Sequence, residues 1–391
     1  MTLPSTGPLR FSQIEQEFGQ SNTRSIGEYR ISKTIGGMSN IPLDEGIGQV
    51  SDNQTNNSIR FSQFRGSRLN IVVFYGTSNS GGSNRAVKNA KDKFNNDENL
   101  TVIGPAGGVK NKPNNTSGSR VIIHANTQLG SNLTSIKHCA LRTGEWNVGT
   151  ILDINIGSEG FISGAGGKGG EGGSNNGENG ENGENGSSAI GIEFPVRKIT
   201  VQRGGVVRSG GGGGGGGGGV RNDQRQSSGG GGGGGAGIPA GAGGNGGNAG
   251  TSEAGENGAS GTATDGGNGG GGTTKEENGG GVASGGGGGG GAARNVDAGE
   301  GGQVALKTGD DNRDNSQGDP GVDGSIVSGG DGGEGNAEGE PQFEGDPGEG
   351  GSNGYRLLSK KSINLNSIIL EIDSQATFAG EDGTFSGNFQ I

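Results

Sequence analysis

Hydrophobic positions fall into a few short β-branched bursts separated by long polar or glycine-dominated stretches. Leu69 to Tyr75, Arg120 to Ala125 and Ile151 to Ile156 are bounded by Gly, Asn and Ser, the pattern of strands between turns. Trp146, just ahead of the third burst, is expected to anchor a core. The stretch from Tyr355 to Ile391 regains β-character through Ile363, Leu365, Ile368, Ile369, Leu370 and Ile372. Nearer the start the pattern is helical. Ser12 and Glu15 fit a capping box opening a short helix that Gly19 would end, and Ser25 and Glu28 repeat the spacing.

Two internal echoes stand out. Leu9-Arg10-Phe11-Ser12-Gln13-Ile14 recurs as Ile59-Arg60-Phe61-Ser62-Gln63-Phe64. Small helical turns with Phe and Ile packed inward would explain it, and so would a docking module that holds the chain to a larger assembly. The second echo has an offset of 45 residues. Ile154-Asn155-Ile156 leads through Gly160 to Phe161-Ile162 and a glycine tract, and Ile199-Thr200-Val201 leads through Gly205 to Val206-Val207 and another. Gly324 to Gly329 reads as a weaker third copy. A strand that runs repeatedly into a glycine tract predicts stacked repeats.

Composition changes the picture most between Gly164 and Gly354, which hold 75 of the 98 glycines and two aromatics, Phe194 and Phe343. Side-chain burial cannot order such a stretch. A collagen helix needs Gly at every third position and abundant Pro, whereas Gly210 to Gly219 is unbroken and the zone has five prolines. A flexible linker is the usual reading of Gly-rich sequence. Against it, the tracts are punctuated by chemically distinct segments such as Val220–Ser228, Thr251–Asp265, Thr273–Asn278 and Gln303–Gln317. The favoured expectation is a bundle of polyglycine-II helices, whose outward N–H and C=O groups bond to neighbours when every residue between is glycine. Runs 210–219, 229–235 and 285–291 suit its interior, and Gly164 to Gly172 suits its periphery. The predicted fold is therefore mostly β plus irregular. Residues 1–68 form an N-terminal attachment module with short helices, 69–163 a β-rich domain, 164–354 the polyglycine-II bundle and 355–391 a short C-terminal β segment.

Net charge is −11, and Asn295 to Gly354 carries fourteen acids against Lys307 and Arg313. That sign disfavours nucleic acid. Cys139 stands alone, so no internal disulfide forms. The start, Met1 to Ser5, has neither a basic nor an apolar stretch, so no signal peptide is expected. The longest apolar run is far below the ~20 residues of a membrane span. Gly164 to Gly169 matches a dinucleotide fingerprint that glycine-rich sequence produces by chance, with no amphipathic helix after it. Asp310 to Asp314 opens like a calcium loop but has Asn315 where Gly is needed and Gly321 where Glu is needed. His124 and His138 lack a ligand cluster around them. No metal, cofactor or catalytic constellation is expected, and the chain is not read as an enzyme.

The interruptions carry the remaining chemistry. Arg221, Asn222, Asp223, Gln224 and Arg225 lie between two long glycine tracts, and Lys275, Glu276, Arg294 and Asn295 occupy similar segments. These are either solvated loop tips or a recognition surface on a rigid scaffold, a recurrent solution for binding.

The segments Leu3 to Ile14 and Ile59 to Gly66, and the passage from Cys139 through Ile154-Asn155-Ile156 into Gly164-Ala165-Gly166-Gly167, resemble virion structural proteins of tailed phages. They are similar to tail-fibre proteins of phages that infect marine cyanobacteria. The glycine tracts resemble adhesins at the fibre tips of T-even-like phages, and the resemblance implies packed polyglycine-II helices with receptor-contacting loops. It implies a tail appendage of the virion that joins other tail proteins through its N-terminal module. The partner at the other end would be a host surface glycan or outer-membrane protein. A homo-oligomer is expected, with a trimer favoured. The alternative is a purely structural fibre, decoration or linker protein without receptor contact.

Overall fold

The computed structural model describes residues 3–18, 61–65, 70–75, 84–85, 90–91, 115–131, 134–222, 225–248, 254–276, 282–284, 286, 288–289, 291–292, 298–303, 319–325, 328–337 and 343–386. They are mostly β with little helix. The first strands are β1 (Asn70–Tyr75), β2 (Asn84–Arg85), β3 (Arg120–Ala125), β4 (Gln128–Gly130) and β5 (Cys139–Arg142). Next come β6 (Ile151–Ile156), β7 (Phe161–Ser163), β8 (Ser188–Ile192), β9 (Val196–Val201) and β10 (Val206–Arg208). The glycine zone holds β11 (Val220–Asn222), β12 (Arg225–Ser227), β13 (Thr274–Glu276), β14 (Val282–Ser284), β15 (Asn336–Ala337) and β16 (Phe343–Glu344). The last are β17 (Leu357–Lys360), β18 (Ile369–Ile372), β19 (Thr377–Ala379) and β20 (Asp382–Phe385).

Three parallel sheets share one threading: β1-β3-β6-β9-β18, β2-β4-β7-β10-β19 and β5-β8-β17-β20. From β3 onward the chain visits each sheet once per turn, so successive turns stack as rungs of a three-sided solenoid. Ile and Val fill its interior in columns. Val73, Ile123, Ile154 and Ile199 are in register across the first sheet and fully or almost fully buried. Burying each such side chain contributes about 1.5–3 kcal/mol. The 45-residue echo is one rung. Ile154 pairs with Ile199 and Ile156 with Val201, while Phe161 pairs with Val206. The third copy is not at Gly324 to Gly329, where Ser325 N donates to Ser328 O across a turn. It is β18 and β19, with Leu370 beside Ile199 and Thr377 beside Val206.

The glycine zone leaves the solenoid at one corner. Residues 164–187 run from β7 to β8 and 209–356 from β10 to β17, both departing from the second sheet and returning to the third. Each excursion consists of straight tracts that alternate outward and back. Gly213, Gly214 and Gly215 donate to Glu184 O, Gly233 O and Gly330 O at 2.9, 2.8 and 2.9 Å, and so bond to three different tracts. Three residues further on, Gly216, Gly217 and Gly218 reach Glu181, Gly230 and Gly333 in the same order. Tract 209–219 bonds in this way to six others: 164–173, 178–187, 229–237, 285–292, 329–335 and 345–354. Tract 229–237 also has six such neighbours, whereas 178–187, with glycine at every third position, has three. Glycine content therefore tracks the number of neighbours, because each missing Cβ admits another backbone.

At the bundle edge, side chains replace missing neighbours. Asn179, Asn182 and Asn185 accept through Oδ1 from the N–H of Asp346, Glu349 and Ser352 at 3.0, 2.8 and 2.8 Å. The following glycines, Gly180, Gly183 and Gly186, donate to the carbonyls of the same three residues. Each Asn-Gly pair thus clamps one residue of the next tract and leaves none of its backbone groups orphaned. Asn268 and Gly269 hold Glu300 in the same manner.

Near the start, α1 (Phe11–Phe18) begins earlier than the Ser12–Glu15 spacing predicts. Gln13 Oε1 accepts from Arg10 N at 2.8 Å, so Gln13 is the residue that reaches back across the first turn. Ser25 and Glu28 lie outside the described residues. Both halves of the first echo meet. Phe11 and Phe61 approach to 6.1 Å between ring centroids, and Ile14 and Phe64 are fully buried in the same core as the solenoid interior.

Polar groups on the outer side of the first sheet form a second network. His124 and Asn155 are register neighbours, with Asn155 Nδ2 2.9 Å from His124 Nδ1. Because Asn155 Oδ1 accepts from Gln202, its amide nitrogen is the donor to the ring, which is then neutral with its proton on Nε2. Burial lowers the His124 pKa from 6.5 to about 4. Above 6.5 the ring is neutral in both states and costs nothing. As pH falls from 6.5 toward 4, the unfolded chain takes up a proton that the folded one refuses, so folding weakens by up to about 3 kcal/mol. A His124→Gln variant should therefore lose less thermal stability than the parent over that acid range. Equal losses in both would show that His124 does not couple folding to pH.

Candidate functional site

The outer ends of the tracts converge on one surface, and side-chain bonds tie their connections together. Asn175, in the turn after tract 164–173, donates through Nδ2 to Gln226 Oε1 at 2.9 Å and through its backbone N–H to Asn248 O. Ser228 N donates to Thr273 Oγ1 at 3.0 Å, and Thr273 N returns a bond to Ser228 O. Four connections that are distant in sequence are thereby fixed at one end of the bundle.

Two three-stranded sheets cap that end, β12-β11-β16 and β13-β14-β15, and they pack against each other. The hairpin β11–β12 forms because Val220 and Ser227, paired across the strands, are buried where the glycine tracts stop. The next pair, Arg221 and Gln226, is turned away from them, which leaves Arg221 exposed. β16 adds to the other edge, with Phe343 opposite Arg221. In the second sheet, Lys275 pairs with Ala283 and Glu276 with Val282.

The predicted contact residues that fall on described strands share one end of the bundle. Arg221, Asn222, Arg225, Lys275 and Glu276 all lie on the strands of the outer cap, with Asn222 opposite Arg225. Asp223 and Gln224, which connect these strands, lie outside the described residues, as do Arg294 and Asn295. The segment that carries the latter two is flanked by Ala292 and Ala298 at the solenoid end. There Ala292 N donates to Gly212 O, close to where tract 209–219 leaves β10. Asn175, Gln226, Asn248 and Thr273 were not distinguished in the sequence, because polar residues at tract ends look alike until the connections are assembled.

The flanks of the bundle are acidic, with Glu178, Glu181 and Glu184 exposed along one tract. Lys168 Nζ meets Glu171 Oε1 at 3.0 Å, and that hydrogen bond raises the Lys168 pKa. The Cys139 thiol is buried and its pKa is pushed up by desolvation, which leaves it a poor nucleophile. The His138 pKa is lowered by burial and then by Arg142. Among the described residues no group of three or more His, Cys, Asp or Glu could hold a metal ion, and no helix is long and apolar enough to cross a membrane.

Residues 89–277 match the family model of the phage tail fibre adhesin Gp38. The matched stretch includes β3 to β13 and the Arg221 hairpin, and it ends before Arg294. No curated protein and no solved structure matches the chain. This match, over just under half of the chain, supports a tail-fibre or adhesin protein of a tailed phage, located in a tail appendage of the virion.

Proposed function

We propose that this protein is the receptor-contacting adhesin of its fibre, with the outer cap as the contact surface and the solenoid end joined to other tail proteins. The observation that carries this reading is the lattice of tract hydrogen bonds. It sets the β11–β12 hairpin and the β13–β14 strands at the far end of the bundle from the solenoid. The tracts are read as polyglycine-II helices because their donors rotate through three neighbours with a period of three residues. Such helices make a stiff spacer out of sequence that would otherwise be a flexible linker.

In this arrangement residues 69–163, 188–208 and 355–391 build one solenoid, residues 1–68 attach at its first rung, and 164–187 and 209–354 are insertions in it. The contact set is Arg221, Asn222, Asp223, Gln224, Arg225, Lys275 and Glu276. Arg294 and Asn295, flanked at the solenoid end, are left out of it. The partner is a host surface glycan or outer-membrane protein, and oligomerisation, as a trimer, would run through the β segments. The fibre adhesin described by the matching family supports the adhesive role.

Exchanging residues 220–228 for a neutral sequence of the same length should reduce adsorption to host cells and leave the thermal unfolding transition in place. Adsorption equal to that of the parent phage would overturn the assignment of this hairpin to receptor contact.

A further inference from the structure

The chain contains nine Asn-Gly pairs, beginning at Asn176, Asn179, Asn182, Asn185, Asn245, Asn257, Asn268, Asn278 and Asn353. This dipeptide is chemically labile. The glycine nitrogen, unhindered by a following side chain, can attack the asparagine Cγ. The new N–Cγ bond closes a succinimide as the amide leaves with a proton as ammonia. Water then opens the ring at either carbonyl to give aspartate or isoaspartate. The reaction needs the Asn side chain to swing back over the next peptide nitrogen, and it needs that nitrogen free of its hydrogen bond.

Along the bundle both requirements are blocked. In the clamps at Asn179, Asn182, Asn185 and Asn268 the Oδ1 atom is held by the N–H of the next tract. The glycine N–H is held at 2.8–2.9 Å by the carbonyl of the same residue. Asn257 and Asn353 also accept through Oδ1 at 2.8 and 2.9 Å, while Gly258 and Gly354 donate to backbone carbonyls. Exposure does not separate them, since Asn179, Asn182 and Asn185 are exposed, as Asn176 is.

Asn176 differs in its bonds. It sits in the turn 174–177, where its own N–H meets Ser174 Oγ at 3.3 Å and Gly177 N meets Ser174 O at only 3.3 Å. Its exposed side chain makes no hydrogen bond, and Gly177 has a φ of +78°. We propose that Asn176 is a site of spontaneous deamidation in the folded protein, and that the Asn-Gly clamps protect Asn179, Asn182 and Asn185 from the same reaction. The modified residue lies next to Asn175, whose side chain supports Gln226 of the β11–β12 hairpin. Conversion to isoaspartate would lengthen the turn backbone by one carbon and add a negative charge at the outer cap.

The test is peptide mapping by mass spectrometry of the full-length folded protein, stored in mildly alkaline buffer and sampled over weeks, with chain unfolded in denaturant as the reference. In the unfolded chain all four pairs from Asn176 to Asn185 should convert at similar rates. In the folded protein Asn176 should convert while Asn179, Asn182 and Asn185 stay intact. Conversion of the three clamp residues as fast as Asn176, or an intact Asn176 in a folded sample whose unfolded reference converts, would overturn the proposal. The consequence for adsorption rests on reading the outer cap as the contact surface and is measured separately, with stored Asn176→Ser phage expected to retain adsorption better than the parent. If mapping shows the conversion but both phages lose adsorption equally, the chemistry stands and that reading of the cap fails.

Discussion

Replacing Gly213 by valine is expected to abolish the folded glycine bundle. A Cβ at this position would lie far closer to the carbonyl oxygen of Lys168 than the 3.0 Å that real Cβ atoms keep. The obstacle is backbone, so no rotamer change relieves it, and the two tracts must move apart. Separation breaks the bonds that join these two tracts, from Gly167 N to Gly211 O and from Gly170 N to Gly214 O, both at 2.8 Å. Each buried polar group left without a partner costs about 1–3 kcal/mol. Because tract 209–219 has six bonded neighbours, the damage spreads to all of them, and loss of soluble protein is the expected readout. Glu181→Ala is the control, since that side chain points to water and its backbone carbonyl still accepts from Gly216. Its effect should stay within about 0.5 kcal/mol. A Gly213→Val protein with parental yield and melting behaviour would show that the tract is not packed, and the polyglycine-II reading would have to be given up.

The second large effect is expected in the solenoid, from Asp153→Ala. Asp153 is buried and accepts from Arg120 Nε at 2.6 Å and from Arg197 Nε and Nη2 at 3.0 and 2.7 Å. A bulge in the β6–β9 pairing, between Leu152 and Asp153, is where Arg197 reaches this carboxylate. Removing the carboxylate strands the Arg120 guanidinium inside the protein, and breaking such a buried pair costs about 3–5 kcal/mol. Arg197, about one-third exposed, can turn to water. The double replacement Arg120→Leu with Asp153→Leu removes the stranded charge and should recover much of the loss. Denaturant midpoints for the three proteins decide the matter. A single variant no less stable than the double one would mean that the ion pair is not what holds this region.

Several elements were readable along the chain because they depend on local chemistry. The bursts at 70–75, 120–125 and 151–156 are strands, since β-branched residues bounded by turn formers suit a pleated surface. The 45-residue echo already contained a register, Ile154 against Ile199, because a repeat that stacks must present the same side chain to the same column. The helix starts earlier than the Ser12–Glu15 spacing predicts because Arg10 and Gln13, which have the same spacing, make the reaching-back bond. The third rung was sought at Gly324 to Gly329, where glycine flanks imitate the echo. It lies instead at 369–379, where the flanks differ but the register continues, with Leu370 opposite Ile199 and exposed as the last rung of its column.

Residues 188–208, inside the zone 164–354, form a solenoid rung with Ile190, Ile199 and Val207 buried in its core. For the glycine tracts on either side, the sequence alone determined that side-chain burial could not order them and that unbroken glycine runs belong where backbones crowd closest. Both follow from the absence of Cβ atoms, which is a property of composition. Only the tertiary structure decided that these tracts are two insertions in a solenoid, one before and one after the rung 188–208, because β17 to β20 finish sheets begun more than a hundred residues earlier. It also decided which polar interruptions share a surface. Arg221 and Lys275 both lie on strands of the outer cap while the segment bearing Arg294 is flanked at the other end, and the reason is the parity of the tracts. An outward tract followed by a return tract places alternate connections at opposite ends. Spacing along the chain does not reveal that parity until each tract's hydrogen-bond partners assign its direction.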